Sequence, residues 1–266
     1  MNIHPTAQVS TGAEIGEDVE IGPYCIVGAR VKLGRGVVLR SHVVIDGDTE
    51  LGEGCEVWPF AVLGGPPQHT AHKKSDPSRL VVGAHNLIRE QVTMHGGSVA
   101  GIGVTRVGDD CDFYVGAHVG HDCVVGDKVI LTNGATLGGH VRVGEHVIIS
   151  GLSAVQQRGR IGRHAFVGGV TGVTRDLIPF GMAWGDHARL DGLNLTGLKR
   201  RGFSREEIHT LRAAYRMLFA GEGAFQDRLA ATADTFAHSS YAMEIVDFIR
   251  AEPTRPLVLP AGQGAA

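Results

Sequence analysis

Apolar residues return at every sixth position along most of this chain. From Ile3 they run through Val9, Ile15, Ile21, Val27, Leu33, Leu39, Ile45, Leu51 and Val57 to Leu63 without a miss. The spacing resumes at Val82, Ile88 and Met94, and then runs from Val107 through Phe113, Val119, Val125, Leu131, Leu137, Val143, Ile149, Val155, Ile161 and Val167 to Val173. A period of six is neither the 3.6 of a helix nor the 2 of an isolated strand. It marks a hexapeptide solenoid, a parallel β-helix in which each hexad is a short strand plus a corner and three hexads close a triangular coil of about eighteen residues.

A second, smaller residue stands two places before each of these positions, as at Val19, Val31, Val37, Ala61, Ala117, Val129, Ala135, Val141, Val147 and Ala165. Alternate side chains of a strand share a face, so both point inward. Glycine often follows the aliphatic, as in Ile15-Gly16, Ile21-Gly22 and Leu137-Gly138. We read that pair as a core residue beside a corner, where glycine tolerates positive φ or close backbone approach. Each aliphatic withdrawn from water contributes roughly 1.5 to 3 kcal/mol. No coil can bury its face alone, so stability comes from stacking.

The pattern predicts a mainly β fold with a small C-terminal α-helical domain. The β-helix covers residues 1–184, with loops thrown out at 65–79, which is rich in proline and polar residues, and at 96–104, which is glycine-rich and read as mobile. No helix follows the second loop, which discounts a phosphate-cradling role. Residues 185–253 begin as a connecting stretch and then turn helical. Ser204 and Glu207 form a capping box ahead of Ile208, Leu211, Tyr215 and Leu218, which predicts a helix over 204–220 and further helices over about 223–236 and 239–251. Residues 254–266 read as a flexible tail.

Composition narrows the function. A net charge of −3 over 266 residues argues against general nucleic-acid binding, and no stretch is long enough to cross a membrane as a helix. The start resembles no signal peptide. Cys25, Cys55, Cys111 and Cys123 all fall in the inward small-residue slot, which makes them reduced core filler and suits a cytoplasmic protein.

Candidate chemistry lies in the histidines, fourteen in all. His118, His121 and His140 fall in neighbouring coils, and Asp122 directly follows His121. A neutral imidazole can take a proton from a hydroxyl, and an adjacent carboxylate stabilises the imidazolium that results. Metal binding is the competing use, since hexapeptide proteins include zinc enzymes of the γ-carbonic anhydrase type. The spacing His118-x-x-His121 does not match their histidine pattern, and we expect no metal and no cofactor. A scaffold without catalysis is the remaining alternative.

Several segments together resemble a known family. Ile21-Gly22-Pro23-Tyr24-Cys25-Ile26-Val27-Gly28, Ser41-His42-Val43-Val44, His118-Val119-Gly120-His121-Asp122-Cys123, Leu137-Gly138-Gly139-His140-Val141 and Gly197-Leu198-Lys199-Arg200-Arg201-Gly202-Phe203-Ser204 are similar to the acyl carrier protein:UDP-N-acetylglucosamine O-acyltransferases, which begin lipid A synthesis. The likeness spans nearly the whole chain. It implies a left-handed β-helix, a homotrimer with active sites between neighbours, and transfer of a (R)-3-hydroxyacyl chain from acyl carrier protein to the sugar 3-hydroxyl. By the same resemblance His121 is the general base, Asp122 its partner and the Gly139 amide the oxyanion donor. His118, His140, Gln68, Gln156 and Gln157 fall at the substrates, and Asn194 and Arg200 at the nucleotide. Gly169 and His187 fall along the acyl groove, where a glycine leaves room for a long chain. Lys199, Arg201, Arg205, Arg212 and Arg216 form a basic dock for the acidic carrier protein.

Two places depart from the family pattern. Its loop Gln-Asp-Leu-Lys-Tyr reads Gln68-His69-Thr70-Ala71-His72 here, leaving Lys73 and Lys74 as the nearest cations, and Gln156 stands where a histidine is common. Both lie where the reacting 3-position of the sugar is held. The UDP sugar carrying an amino group at position 3, which would give an amide, is therefore the alternative acceptor.

Overall fold

The computed structural model describes residues 1–251 and 256–262. Two-residue strands wind into three parallel sheets that form the faces of a prism. Asn2–Ile3, Glu20–Ile21 and Val38–Leu39 begin the first face, Gln8–Val9 and Ile26–Val27 the second, and Glu14–Ile15 and Lys32–Leu33 the third. Along an uninterrupted stretch each residue pairs with the one eighteen later, as Ile21 with Leu39 and Leu131 with Ile149. The two loops change that register without breaking the stack, since Val57 pairs with Ile88 and Ile88 with Phe113.

The inward slots are filled as the pattern predicts, and from Val19 to Val173 both rows are buried almost throughout. Ile3 is exposed and Val9 and Ile15 are only partly covered, because no coil lies beneath the first. All four cysteines are free and buried. Burial pushes the Cys111 and Cys123 thiols up to about 12, and the sulfurs donate weakly to carbonyl oxygens of the next coil. Asn86 takes the same slot and is satisfied, donating to Gly83 and Gly108 carbonyls and accepting from the Cys111 amide.

Of the two needs the pattern suggests for the glycines after the aliphatics, the structure shows close approach and not positive φ. Positive φ falls two residues further on and is adopted by ordinary side chains, including Tyr24, His42, Phe60, Asp122, His140, His164 and Phe180 at 56° to 63° or, for Phe60, 65°. A glycine such as Gly138 is required by close approach instead. A Cβ there would stand 2.7 Å from the Gln157 nitrogen of the coil above.

The last coils differ from expectation in two ways. The connecting stretch after residue 184 is a strand: Gly181–Trp184 extends the first sheet, and Arg189–Leu193 folds back antiparallel onto it, ending the stack of the first face with a hairpin. The expected tail is anchored in its described part, with Val258 buried, its amide donating to Asp176, and Leu259 accepting from Leu190. Residues 254, 255 and 263–266 of that tail lie outside the described residues.

Among the described residues four helices follow the hairpin: α1 (Leu195–Arg200), α2 (Arg205–Ala220), α3 (Phe225–Thr235) and α4 (Ser240–Arg250). Ser204 and Glu207 make the predicted capping box at α2. The helices dock where the third face turns into the first. There His146, His164 and Phe180 stack ring on ring at 4.7 and 5.7 Å, one per coil, and Phe203 and Tyr241 close over them. Arg163 crosses to Glu244 of α4 at 2.6 Å.

This column makes stability depend on pH. Burial, followed by the charges of His146, Arg163 and Arg201, holds His164 down at about 3. The unfolded chain takes up a proton at this residue below its ordinary pKa of about 6.5, while the folded chain refuses it until about 3. Stability is therefore complete above 6.5 and is lost as the pH falls through that window, by about 1.4 kcal/mol per unit. Phe180 already places a phenyl ring at the equivalent corner with φ 63°, so His164→Phe keeps the stack. Its melting temperature is expected to gain on the native protein by a few degrees between pH 7.5 and 5. Parallel curves of melting temperature against pH would refute this origin.

Candidate active site

The corner between the second and third faces repeats in successive coils with its residues in register. His121, Gly139 and Gln157 stand eighteen apart, as do Asp122, His140 and Arg158, whose φ values of 59°, 62° and 64° turn the chain into the next strand. The His140 amide donates to the His121 carbonyl at 2.8 Å, and the Arg158 amide to Gly139 at 2.9 Å. The corner is thus a rigid ladder.

His121 is 8% exposed and Asp122 3%. His121 Nδ1 lies 2.7 Å from Asp122 Oδ2. The carboxylate also accepts from the Ser98 amide at 3.0 and 3.1 Å, from the Ser98 hydroxyl at 2.6 Å and from the Gly103 amide at 3.1 Å. The Asp122 amide donates to the Thr105 hydroxyl, which is fully buried. Burial alone would raise this carboxyl, but the bonds from His121 and Ser98 and the nearby His140 outweigh it and hold the group below its usual pKa. An ionised carboxylate only accepts, so His121 carries its proton on Nδ1 and presents the Nε2 lone pair outward.

Other imidazoles surround this one. His140 stands 4.9 Å from His121 and His69 5.6 Å, both nearly perpendicular to it. His118 bonds Thr93 at 2.7 Å, and His95 lies 5.1 Å from His118. Burial lowers His140, His118 and His95, the last to about 4. Near neutral pH these three are uncharged, so a proton taken by His121 meets no neighbouring imidazolium among them.

Gly139 is pressed against His121. A Cβ there would come within 2.6 Å of His121 Nε2, and its amide, with no bond to another described residue, is free to donate beside that atom. His121, Asp122 and His140 also bring possible metal-ligand atoms within 4.8 Å of one another, although the carboxylate is already occupied by donors. The arrangement suits proton abstraction beside an oxyanion donor.

The remaining residues divide by position. Gln68 is exposed on the first loop beside His69, and Gln156 and Gln157 are exposed one coil beyond Gly139. Asn194 is buried, with its side-chain amide committed to the Gly197 amide as the α1 cap and to the His164 carbonyl. With Arg200, Arg212 and Arg216 it lines a cavity of about 730 Å³ between the first face and α2. In one chain that cavity lies across the prism from His121.

Gly169 sits at the corner between the first and second faces, next to Leu152 and Val170, which are 72% and 69% exposed. A Cβ on Gly169 would touch only the Gly151 oxygen, at 3.5 Å, whereas one on Gly168 would strike the Trp184 ring. His187 is exposed at the tip of the terminal hairpin. Lys199, Arg205, Arg212 and Arg216 are exposed, as a docking surface requires. Arg201 does not belong with them: it is partly buried, donates to the His146 carbonyl at 2.8 Å, and has its pKa lowered by burial.

Sequence reasoning missed Ser98, Thr105, Thr93, His95 and the approach of His69. It also read the 96–104 loop as mobile, whereas its main chain is tied to Asp122 through Ser98 and Gly103. A hexad pattern contains no signal for loop residues that fold back on it.

Comparisons with known proteins agree with this geometry. A family model described as bacterial transferase hexapeptide matches residues 12–47, and one described as Udp N-acetylglucosamine O-acyltransferase, domain 2, matches 176–258. The chain is 56% identical to the acyl-[acyl-carrier-protein]–UDP-N-acetylglucosamine O-acyltransferase of Caulobacter vibrioides over 98% of both chains. It is 57% identical to that of Azorhizobium caulinodans over 97% of this chain and 95% of the relative. The solved UDP-N-acetylglucosamine O-acyltransferase of Moraxella catarrhalis superimposes with a TM-score of 0.93 at 38% identity, covering 97% of this chain and all of that one.

The contact at Gly139 yields a prediction independent of substrate. Gly139→Ala is expected to push the His121 ring off Asp122, with loss of the hydrogen-bonded Nδ1 proton signal in NMR of histidine-labelled protein and a melting temperature within a few degrees of the native one. An unchanged imidazole signal would show that the ring has slack at this contact.

Proposed function

The chain belongs to the acyl-[acyl-carrier-protein]–UDP-N-acetylglucosamine O-acyltransferase family, and from that premise we propose how its residues divide the reaction. It is an acyltransferase that moves a (R)-3-hydroxyacyl chain from acyl carrier protein to the 3-position of UDP-N-acetylglucosamine, the first step of lipid A biosynthesis.

In the proposed mechanism His121 Nε2 takes the proton of the sugar 3-hydroxyl as its oxygen bonds to the thioester carbon. The carbonyl electrons move to oxygen, which accepts from the Gly139 amide; a donor of this kind is worth about 3 kcal/mol. Asp122 stabilises the imidazolium. Collapse of the tetrahedral intermediate breaks the C–S bond, and the proton on His121 passes to the departing sulfur. Base and donor are then reset with no change in the chain.

The observation that carries this reading is the Asp122–His121–Gly139 constellation on one corner ladder. The position of Arg200 supports an assembly. The arginine-lined cavity and the base lie on opposite sides of one prism, so a nucleotide sugar could reach both only across two copies. We therefore propose a homotrimer of parallel prisms with the acceptor held between neighbours, acting in the cytoplasm where acyl carrier protein supplies the donor. Lys199, Arg205, Arg212 and Arg216 receive the carrier protein, with an attraction that weakens in salt. Gly169 and His187 border the acyl groove. Gln68, His118, His140, Gln156 and Gln157 line the route of the two substrates. Asn194 acts on the nucleotide through the α1 backbone it caps.

His121→Ala is expected to lower turnover of UDP-N-acetylglucosamine by about 100-fold or more, while native mass spectrometry still reports three chains. Retention of activity within about tenfold would remove His121 from the role of base.

A further inference from the structure

We infer that Ser98 is a positioning residue that decides which of two histidines Asp122 serves: its hydroxyl fills the place on the carboxylate that His140 would otherwise take, and so reserves the carboxylate for His121. The consequence for turnover rests on the reading of His121 as the base. The choice between the two imidazoles does not.

Both imidazoles approach the same carboxylate oxygen. His121 Nδ1 lies 2.7 Å from Asp122 Oδ2, and His140 Nδ1 lies 3.9 Å from that atom. The two rings stand on one corner ladder with their centroids 4.9 Å apart. A shift of about 1 Å would bring His140 within hydrogen-bond range. Distance alone therefore does not account for one ring being bonded and the other not.

Occupancy does account for it. An ionised carboxylate offers about four lone-pair sites. Oδ1 accepts from the Ser98 amide at 3.0 Å and the Gly103 amide at 3.1 Å. Oδ2 accepts from the Ser98 hydroxyl at 2.6 Å and from His121, and the Ser98 amide also reaches it at 3.1 Å as a shared bond. The donors fill the sites, and His140 is left outside.

The surroundings leave His140 as the group that inherits a vacated site. The Asp122 side chain is fully covered and Ser98 is 2% exposed. Gly101 lies against the carboxylate, where a Cβ would stand 2.4 Å from Cγ and 2.5 Å from each oxygen. Removing the hydroxyl leaves the loop tied, because the Ser98 and Gly103 amides still bond Oδ1. The side chain's part is thus separable from that of the loop. A carboxylate fixes a tautomer by accepting from Nδ1. Shared between two rings, it would stabilise an imidazolium at either, and a proton taken from the acceptor would no longer be held at His121 alone.

The test compares native protein, Ser98→Ala and Ser98→Thr by NMR of the histidine Nδ1 protons, with His121→Ala and His140→Ala assigning the two signals, and by turnover of UDP-N-acetylglucosamine. Melting temperatures check that each variant is folded. In the native protein His121 gives the hydrogen-bonded signal and His140 does not. Ser98→Ala is expected to add one from His140 and to lower kcat by about tenfold or more, a part of the ~10²- to 10⁴-fold that a general base contributes. Ser98→Thr, which keeps the hydroxyl, should return both readouts to native. If His140 gains no such signal in Ser98→Ala, or if Ser98→Thr behaves like Ser98→Ala, the role of the hydroxyl is overturned. A gained signal with unchanged turnover, while His121→Ala is inactive, overturns its bearing on the reaction. A gained signal with turnover unchanged in His121→Ala as well leaves the choice of imidazole standing and shows that the base assignment is what has failed.

Discussion

Stacking of one coil on the next, at a spacing of eighteen residues, is the constraint from which the rest of the molecule follows. Each coil donates its backbone hydrogen bonds to the coil above, as Gly22 does to Leu39 and Gly138 to Val155. A displacement by one residue would turn every inward aliphatic to solvent. Register is therefore fixed by the whole core. The site inherits that precision, because Gly139 lies against His121 only while coils 118–135 and 136–153 are in step.

The same constraint explains which parts of the chain were legible beforehand. The inward rows, the cysteines among them and the capped helix α2 were readable because each is a periodic burial pattern or a local backbone need. His121, Asp122 and Gly139 could be placed together because they sit on the repeat. The role of glycine was read only as far as two alternatives, since a spacing rule cannot distinguish positive φ from lack of room. Arg201 looked like one more surface cation in a basic run, yet one turn of α1 carries it inward onto the His146 carbonyl. The terminal hairpin was illegible because its two strands follow the last hexad and pair antiparallel.

Loops account for what was missed at the site. Ser98 and Gly103 converge on Asp122 from the second interruption, Thr105 meets its amide from the strand that follows, and His69 arrives from the first. The two loops contribute differently. The second supplies four hydrogen bonds that keep a buried carboxylate ionised, and thus sets the tautomer of the base. The first brings the exposed ring of His69 to within 5.6 Å of the His121 ring. Rigid coils hold the imidazole and its carboxylate, while an inserted segment fixes the imidazole's tautomer through that carboxylate.

That division bears on how such a fold can change its substrate without losing its reaction. Altering a coil residue such as Gly139 disturbs the base at once, because its contact with His121 leaves no room for even a methyl group. An exposed loop residue such as His69 takes no part in the hydrogen bonds of the ladder. In the proposed mechanism the carboxylate, imidazole and amide would serve either nucleophile in the same way, so a change of acceptor has to come from residues off the ladder.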